Sequence, residues 1–180
     1  MKILNFLKLM LLLSALEQVW SITQEKLYSA DGKKFYYIEN EYKYDWFESL
    51  TKCASMNMTL LTIDSKPKSE EINNVVKKAF GKNIILWVGG YAVGSNRQFR
   101  WVSTGEEFTY TYWHGANPDF TNSEEYCMQI GWSATMAWND NKCTKKFGFI
   151  CEFKPQECSG NTDDKNYKYH NIIINNLQKY

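Results

Sequence analysis

Histidine is scarce in this 180-residue sequence. The two histidines are His114 and His170, and no Ser–His or Cys–His arrangement is recognisable, so nothing indicates an enzyme with an activated nucleophile. The formal net charge is +1, which argues against the dense basic face of a nucleic-acid-binding protein. Beyond the N-terminal segment, no apolar run approaches the length of about 18 residues that a membrane span needs. Apolar and aromatic residues are nevertheless plentiful, at 44% and 16%, which is ample for a packed core.

Residues 1–21 have the composition of a secretory signal peptide. Lys2 supplies positive charge, Ile3–Leu16 is mostly apolar, and Val19 and Ser21 fit the positions that precede a cleavage point. Because the apolar run is short, an uncleaved membrane anchor is the less favoured alternative. We therefore expect a secreted, extracellular protein that keeps one domain after trimming. Secretion makes disulfide bonds expected.

The cysteines leave their own pairing open. There are five of them: Cys53, Cys127, Cys143, Cys151 and Cys158. Any four cysteines can pair in three ways, and the sequence alone does not choose among them. One cysteine is left over in every scheme, and it is either a free thiol or a link to a second chain.

Helical periodicity is concentrated in the first half of the chain. Asp45, with Glu48 three residues later, forms a capping-box pattern that opens a helix, in which Trp46 and Phe47 are expected to be core residues. A second helix is predicted to begin near Ser69. Short strands are predicted at residues 34–38, 60–63, 84–88 and 99–102. Helices that come early and strands that come late indicate an α+β fold.

Two groups of oxygen-bearing side chains lie close to two of the cysteines, in the segment 116–143. They are Asn117, Asp119, Glu125, Asn139 and Asp140. Carboxylate and amide oxygens, without histidine or thiolate, are the ligands that Ca2+ takes, and it takes six to eight of them. The negative charges of three carboxylates and the two positive charges of Ca2+ nearly cancel. The occupied site is therefore near neutral and suits an uncharged ligand. The plain alternative is that these acids are solvated charges. The sequence therefore predicts a Ca2+ site with open positions.

The same segment resembles the sugar-binding site of C-type lectins. The resemblance rests on a proline between two oxygen ligands at Asn117-Pro118-Asp119, a glutamate two residues before Cys127, and Trp138-Asn139-Asp140 before Cys143. Two further landmarks stand in the family's order, Leu86-Trp87-Val88-Gly89-Gly90 and Phe149-Ile150-Cys151-Glu152. The resemblance covers residues 28–153, and the chain looks like a secreted, single-domain, insect-like member of the family.

Membership of the C-type lectin family would imply a fold, a disulfide pairing and a ligand. The family fold is α+β, with two helices flanking antiparallel sheets and a long Ca2+-binding loop region. The resemblance implies the disulfide bonds Cys53–Cys151 and Cys127–Cys143. It also implies that the five oxygen ligands hold Ca2+ and hydrogen-bond two sugar hydroxyls that coordinate the ion.

The order of the residues around the proline predicts which sugar the site prefers. An amide before the proline and an acid after it resembles the galactose-type pattern, so galactose or N-acetylgalactosamine is expected over mannose. Phe120 and Trp132 are candidates for stacking on the sugar, with ordinary loop packing as the alternative for both. The acids that form a second Ca2+ site in many members are replaced by Phe120 and Tyr126, so we expect one principal site.

Two other functions are alternatives to sugar binding. Paired carboxylates are also typical of glycosidases, but each acid here has a better use as a metal ligand, so no enzyme activity is expected. A C-type lectin-like domain that binds a protein with little help from Ca2+ is the main alternative. The resemblance further suggests a role in innate immunity.

The remaining expectations concern modification and assembly. Asn57-Met58-Thr59 is an acceptor sequence for N-glycosylation, which would make the product a glycoprotein. The polar segment 154–180 is expected to be a solvated tail, or alternatively a short element that joins a partner. Its cysteine, Cys158, could link a homodimer. Because such domains bind single sugars weakly, several sites held together would give useful avidity.

Overall fold

A computed structural model describes residues 26–133 and 135–154, together with Lys8. Apart from Lys8, the predicted signal peptide lies outside the described residues, as does the tail beyond residue 154 with Cys158. Residues 26–133 and 135–154 include one short 3-10 helix at Thr121–Ser123, and two α-helices and eight strands make up the fold. In chain order they are β1 (Leu27–Tyr28), β2 (Tyr36–Tyr44), α1 (Trp46–Ser55), β3 (Met58–Leu60), α2 (Lys66–Phe80), β4 (Leu86–Val93), β5 (Gln98–Trp101), β6 (Glu125–Ile130), β7 (Trp138–Lys142) and β8 (Phe147–Phe153).

The strands join into one sheet with the order β1-β2-β8-β4-β6-β7, while β3 pairs with β8 and β5 pairs with β4. The fold is therefore α+β, as expected, and each of the four predicted strands overlaps an observed one. One detail differs from the expected antiparallel pairing, because β4 and β8 run parallel. Parallel neighbours need a long crossover connection. Here the segment that carries β5, β6 and β7 provides it, and this segment also carries the candidate site.

Helix α1 begins where its capping box predicted. The Asp45 carboxylate accepts a hydrogen bond from the Glu48 amide at 2.9 Å, and the Glu48 carboxylate accepts one from the Asp45 amide at 2.8 Å. Trp46 is buried, but Phe47 is 61% exposed, so the expectation that Phe47 is a core residue was wrong. Successive helical residues are about 100° apart. The buried face of α1 follows Trp46 and Cys53 and turns Phe47 towards solvent.

Helix α2 begins at Lys66, three residues before the predicted start near Ser69. Pro67 lies in its first turn, where the amide that proline lacks would have had no partner in the helix. The helix ends at Gly81, whose φ of 67° is the left-handed conformation that favours glycine. Its apolar side chains, Ile72, Val75 and Val76, are buried against the sheet.

The sheet separates two hydrophobic clusters, since successive residues of a strand face opposite sides. Leu86 and Val88 of β4 pack in the cluster that contains α2, and Trp87 between them packs in the cluster that contains α1. Two disulfide bonds lie in or beside the second cluster. Cys53–Cys151 joins α1 to β8, and Cys127–Cys143 joins β6 to the residue after β7. These are the pairs that the resemblance implied.

Candidate calcium and carbohydrate site

The connection between β5 and β6 folds back onto β7 and so brings the two groups of oxygen ligands together. The amide of Trp138 donates to the Tyr112 carbonyl at 2.8 Å, and the amide of His114 donates to the Trp138 carbonyl at 2.9 Å. A turn then follows, in which the Asn117 amide donates to the His114 carbonyl at 3.1 Å. This turn presents Asn117 beside Asn139, the first polar residue of β7.

An aromatic layer supports this connection from below. The ring of Trp113 lies 4.9 Å from that of Phe99 and 5.5 Å from that of Trp138, measured between centroids. Phe108 packs on the same group, 4.1 Å from Trp101. Trp113 therefore packs beneath the long loop and contributes to the core rather than to a ligand surface.

Three carboxylates converge above this layer. One oxygen from each of Asp119, Glu125 and Asp140 lies within 4.8 Å of the others. The three residues come from different parts of the fold, namely the long connection, the start of β6 and the middle of β7. Their exposure also differs, since Asp119 is exposed, Glu125 is half-buried and Asp140 is fully buried. The carboxylates of Asp119, Glu125 and Asp140 are together called the acidic cup, and it is exposed to solvent at Asp119.

Asp140 forms the floor of the cup and fixes the loop above it. One carboxylate oxygen accepts from the Phe120 amide at 2.7 Å and the other accepts from the Asp119 amide at 3.2 Å. Asp119 is oriented in turn by Thr121, whose hydroxyl and amide donate to the same carboxylate oxygen at 2.6 and 3.0 Å. Each acid keeps at least one further lone pair for a cation. The role of Thr121 has no signal in the sequence beyond its proximity to Asp119.

The electrostatics of the cup favour the arrival of positive charge. Burial raises the pKa of Asp140, against the opposing effect of the amides that donate to it, and the Asp119 charge raises it further. Burial also raises the pKa of Glu125, together with the nearby charges of Asp140 and Asp119. Carboxylates that disfavour one another in this way are stabilised when a divalent cation lies between them.

The two candidate amides are hydrogen-bonded to each other. The side-chain nitrogen of Asn117 donates to the side-chain oxygen of Asn139, and the nitrogen of Asn139 donates to the backbone carbonyl of Asp140. The Asn139 oxygen thus keeps a second lone pair, and the Asn117 oxygen takes part in neither of these bonds. Hard oxygen donors without histidine or thiolate fit Ca2+.

The two aromatic candidates have different surroundings. Phe120 packs on Phe99, 5.9 Å away, and the Arg97 guanidinium lies 5.0 Å from its ring, so its contacts are within the protein and favour the packing role. Trp132 is 56% exposed and meets the His114 ring edge-on at 5.3 Å. His114 opens the turn that leads to Asn117. Trp132 therefore has ring surface exposed to solvent next to His114.

Arg97 is the feature of the site that the sequence did not reveal. It lies at the turn between β4 and β5, and its guanidinium contacts two rings, those of Phe120 and Tyr126, at 5.0 and 5.2 Å. Phe120 follows Asp119 and Tyr126 follows Glu125, so Arg97 contacts the ring next in the chain to each of two cup residues. These are also the two positions at which the acids of a second Ca2+ site are missing.

The sequence model of one family, described as the lectin C-type domain, matches residues 42–153. The chain therefore belongs to the C-type lectin family, which is not a family of enzymes. Among the described residues, neither helix has the length and apolar character needed to cross a bilayer.

The relatives agree with this membership. The chain is similar to the lectin subunit alpha of Sarcophaga peregrina, with 40% identity over 129 residues that are 68% of this chain and 45% of the relative. It is 27% identical to human lithostathine-1-beta over 124 residues, 68% of this chain and 74% of the relative. The match thus spans less than half of the Sarcophaga protein.

Solved structures share the fold. The crystal structure of human lithostathine superposes with a TM-score of 0.59 at 25% identity, covering 67% of this chain and 83% of that one. The C-type lectin CEL-I from Cucumaria echinata superposes with a TM-score of 0.58 at 24% identity, covering 69% and 92% of the two chains. The second likeness supports the fold alone.

Proposed function

We propose that this protein is a secreted lectin that binds galactose-type sugars through Ca2+. The observation that carries the proposal is the convergence of the Asp119, Glu125 and Asp140 carboxylate oxygens within 4.8 Å of one another. Burial and neighbouring negative charge raise the pKa of Asp140 and of Glu125, and a bound cation would offset this unfavourable electrostatic effect. Family membership supports the carbohydrate as the second ligand.

In this proposal the ion and the side chains recognise the sugar together. Ca2+ takes six to eight oxygens, so the protein leaves coordination positions open for two neighbouring sugar hydroxyls. Those hydroxyls also hydrogen-bond the ligand side chains, because carboxylates accept and amides donate. The exposed side of the cup, at Asp119, is where the sugar would approach.

The polarity of the loop is the basis for the sugar preference. The amide of Asn117 precedes Pro118, and the acid Asp119 follows it, an order that resembles the galactose-type pattern. Galactose has an axial 4-hydroxyl and mannose an equatorial one. A site built for one geometry leaves polar groups unpaired with the other, which costs about 1–3 kcal/mol. Trp132, exposed beside His114, is the ring available to stack on the sugar.

Retention on a galactose resin tests the proposal. With Ca2+ present the protein should bind the resin, elute with EDTA, and elute at roughly tenfold lower galactose than mannose, since 1.4 kcal/mol is a factor of ten. The double change Asn117→Glu with Asp119→Asn should move the preference towards mannose. Asparagine at position 119 keeps an oxygen that can still accept from Thr121.

The matched control is Glu124→Gln, which removes an exposed acid that pairs with Lys142 instead of joining the cup. This variant should keep both resin binding and sugar preference. Equal elution by mannose and galactose would contradict the polarity argument. Passage through sugar resins with and without Ca2+ would contradict the lectin proposal and favour a protein ligand.

Two modifications belong to the same proposal. Asn57 is exposed at the end of α1, where an attached glycan would meet no obstruction. Cys158 lies outside the described residues and is proposed to link two chains, which would give a weak sugar site avidity. Secreted protein run on a non-reducing gel should show a dimer that collapses on reduction, and each band should shift after glycosidase treatment. A monomer whose Cys158 can be alkylated would exclude the covalent dimer.

A further inference from the structure

Arg97 makes two aromatic contacts, and no ion pair with an acid is found for it among the described residues. Its guanidinium lies over the rings of Phe120 and Tyr126, at 5.0 and 5.2 Å from their centroids. Two such contacts fix a side chain that is otherwise long and flexible. Its backbone is constrained as well, with a φ of 52° at the turn between β4 and β5. The charge therefore has a defined position before any ligand arrives.

Among the side chains described in residues 26–133 and 135–154, which do not include that of Asn122, no carboxylate lies within 4.0 Å of Arg97 and none forms a hydrogen bond with its guanidinium. Arg100, on the neighbouring strand β5, behaves differently. It pairs with Glu107 and donates to the Gly105 carbonyl at 2.9 Å. One arginine of this hairpin is therefore satisfied internally, and the other keeps its donors.

The acids nearest to Arg97 in the chain are directed elsewhere. Asp119 and Glu125 precede the two ring residues, but their carboxylate oxygens cluster with Asp140. A guanidinium donates from its edge, in the plane of the group, while its faces make ring contacts. Arg97 is partly exposed, so solvent and a dissolved ligand can reach its side chain.

We infer that Arg97 forms an anion subsite next to the calcium site, which binds an oxyanion substituent on the glycan that the ion holds. A carboxylate or a sulfate ester has the oxygens that a guanidinium binds with two parallel hydrogen bonds. This inference rests on the proposed function. It adds that the preferred ligand is an acidic galactose derivative, with the ion holding two ring hydroxyls and Arg97 holding the charged group.

Three sugars that share the ring hydroxyls of galactose separate the contribution of the ion from that of Arg97. Methyl galactoside is neutral, galacturonic acid carries a carboxylate at C6, and galactose 6-sulfate carries a sulfate ester there. With Ca2+ present, at least one acidic sugar is expected to bind roughly tenfold more tightly than the neutral one, since charged hydrogen bonds are the strong ones. The gain should shrink strongly at 1 M salt, which screens exposed charges.

Arg97→Gln tests the residue, and Arg100→Gln is the matched control. The Arg97 variant should bind methyl galactoside and Ca2+ as the wild type does while losing the tenfold gain. Arg97→Lys should keep part of the tenfold gain in affinity for the acidic sugar, and the Arg100 variant should keep all of that gain. Titration calorimetry measures each affinity.

Four outcomes would decide the matter. Retention of the gain in Arg97→Gln, or equal affinity of the wild type for all three sugars, would overturn the subsite and leave the lectin proposal intact. If Arg97→Gln lowered the affinity for neutral and acidic sugars equally, Arg97 would only hold the loop in place. That result would also overturn the anion subsite. Failure of the wild type to bind any of the sugars with Ca2+ would overturn the proposed function and the subsite with it.

Discussion

Asp140→Asn is expected to abolish the rise in melting temperature that Ca2+ produces in the wild-type protein. A ligand that binds only the folded state at a hundred times its Kd stabilises that state by about 2.7 kcal/mol. For a domain of this size the melting temperature should rise by roughly 5–10 °C. The substitution removes one of three charges from the cup and exchanges a carboxylate oxygen for an amide nitrogen. Affinity for the ion should therefore fall steeply.

The same substitution should cost little stability without Ca2+. Asp140 is fully buried and its pKa is raised, by burial first and by the charge of Asp119 as well, so removing its charge relieves repulsion. It also removes one of the two bonds that the loop amides donate to this side chain, because the amide nitrogen of asparagine cannot accept a hydrogen bond. These effects oppose each other, and the difference between variant and wild type should appear mainly when Ca2+ is added.

Thermal unfolding with 5 mM CaCl2 and with EDTA measures the effect, with Glu124→Gln as the control. Glu124 is an exposed acid beside Glu125, and it pairs with Lys142. The control should keep the full rise with Ca2+. If melting of the wild type is the same with Ca2+ and with EDTA, the site does not bind the ion. A full rise in Asp140→Asn would mean that the ion binds elsewhere.

Loss of the Cys53–Cys151 bond is expected to have the largest effect on stability. The bond closes a separation of 98 residues. In a chain-entropy model a loop of this length contributes about 4–5 kcal/mol. Domains of this kind have a total stability of about 5–15 kcal/mol. Both cysteines are also fully buried, within the cluster that contains α1. The double change Cys53→Ser with Cys151→Ser should leave little or no folded protein at 37 °C.

The second disulfide provides the comparison. Cys127–Cys143 closes a separation of 16 residues, and a loop of this length contributes about 3 kcal/mol. Its removal should lower stability less, but it should weaken Ca2+ binding more, because this bond ties together the strands that carry Glu125 and Asp140. Urea unfolding of the two double variants, with Ca2+ titration of the folded one, measures both effects. Greater destabilisation from losing the shorter loop would contradict the entropic ranking.

Local patterns predicted several elements because the physics that decides them acts within a few residues. The capping box of Asp45 and Glu48 is complete within one helical turn, and it begins α1 as predicted. A search for that pattern alone would have missed the true start of α2, since Ser65 makes no side-chain capping bond there. The five candidate ligands were identified through their motif, and the chemistry of their side chains predicts that they would hold Ca2+.

Local patterns did not predict which way individual side chains face. Phe47 has the same hydrophobicity as a core aromatic, but whether it is buried depends on which face of α1 meets the sheet. Gly131 is another example, since its φ is 82° and a β-carbon there would lie 1.9 Å from the Ile84 carbonyl oxygen. The neighbour that makes glycine necessary is 47 positions away in the chain, and no local pattern reveals it.

The sequence by itself determined the α+β class, the start of α1 and a set of oxygen ligands suited to Ca2+, because these depend on residue chemistry and short-range spacing. Only the tertiary structure decided that Asp140 is the buried floor of the cup, that β4 and β8 run parallel, and that Arg97 lies over Phe120 and Tyr126. These features depend on where a long crossover connection returns to the sheet. That path follows from the packing of the whole core, in which contacts join residues far apart in the chain.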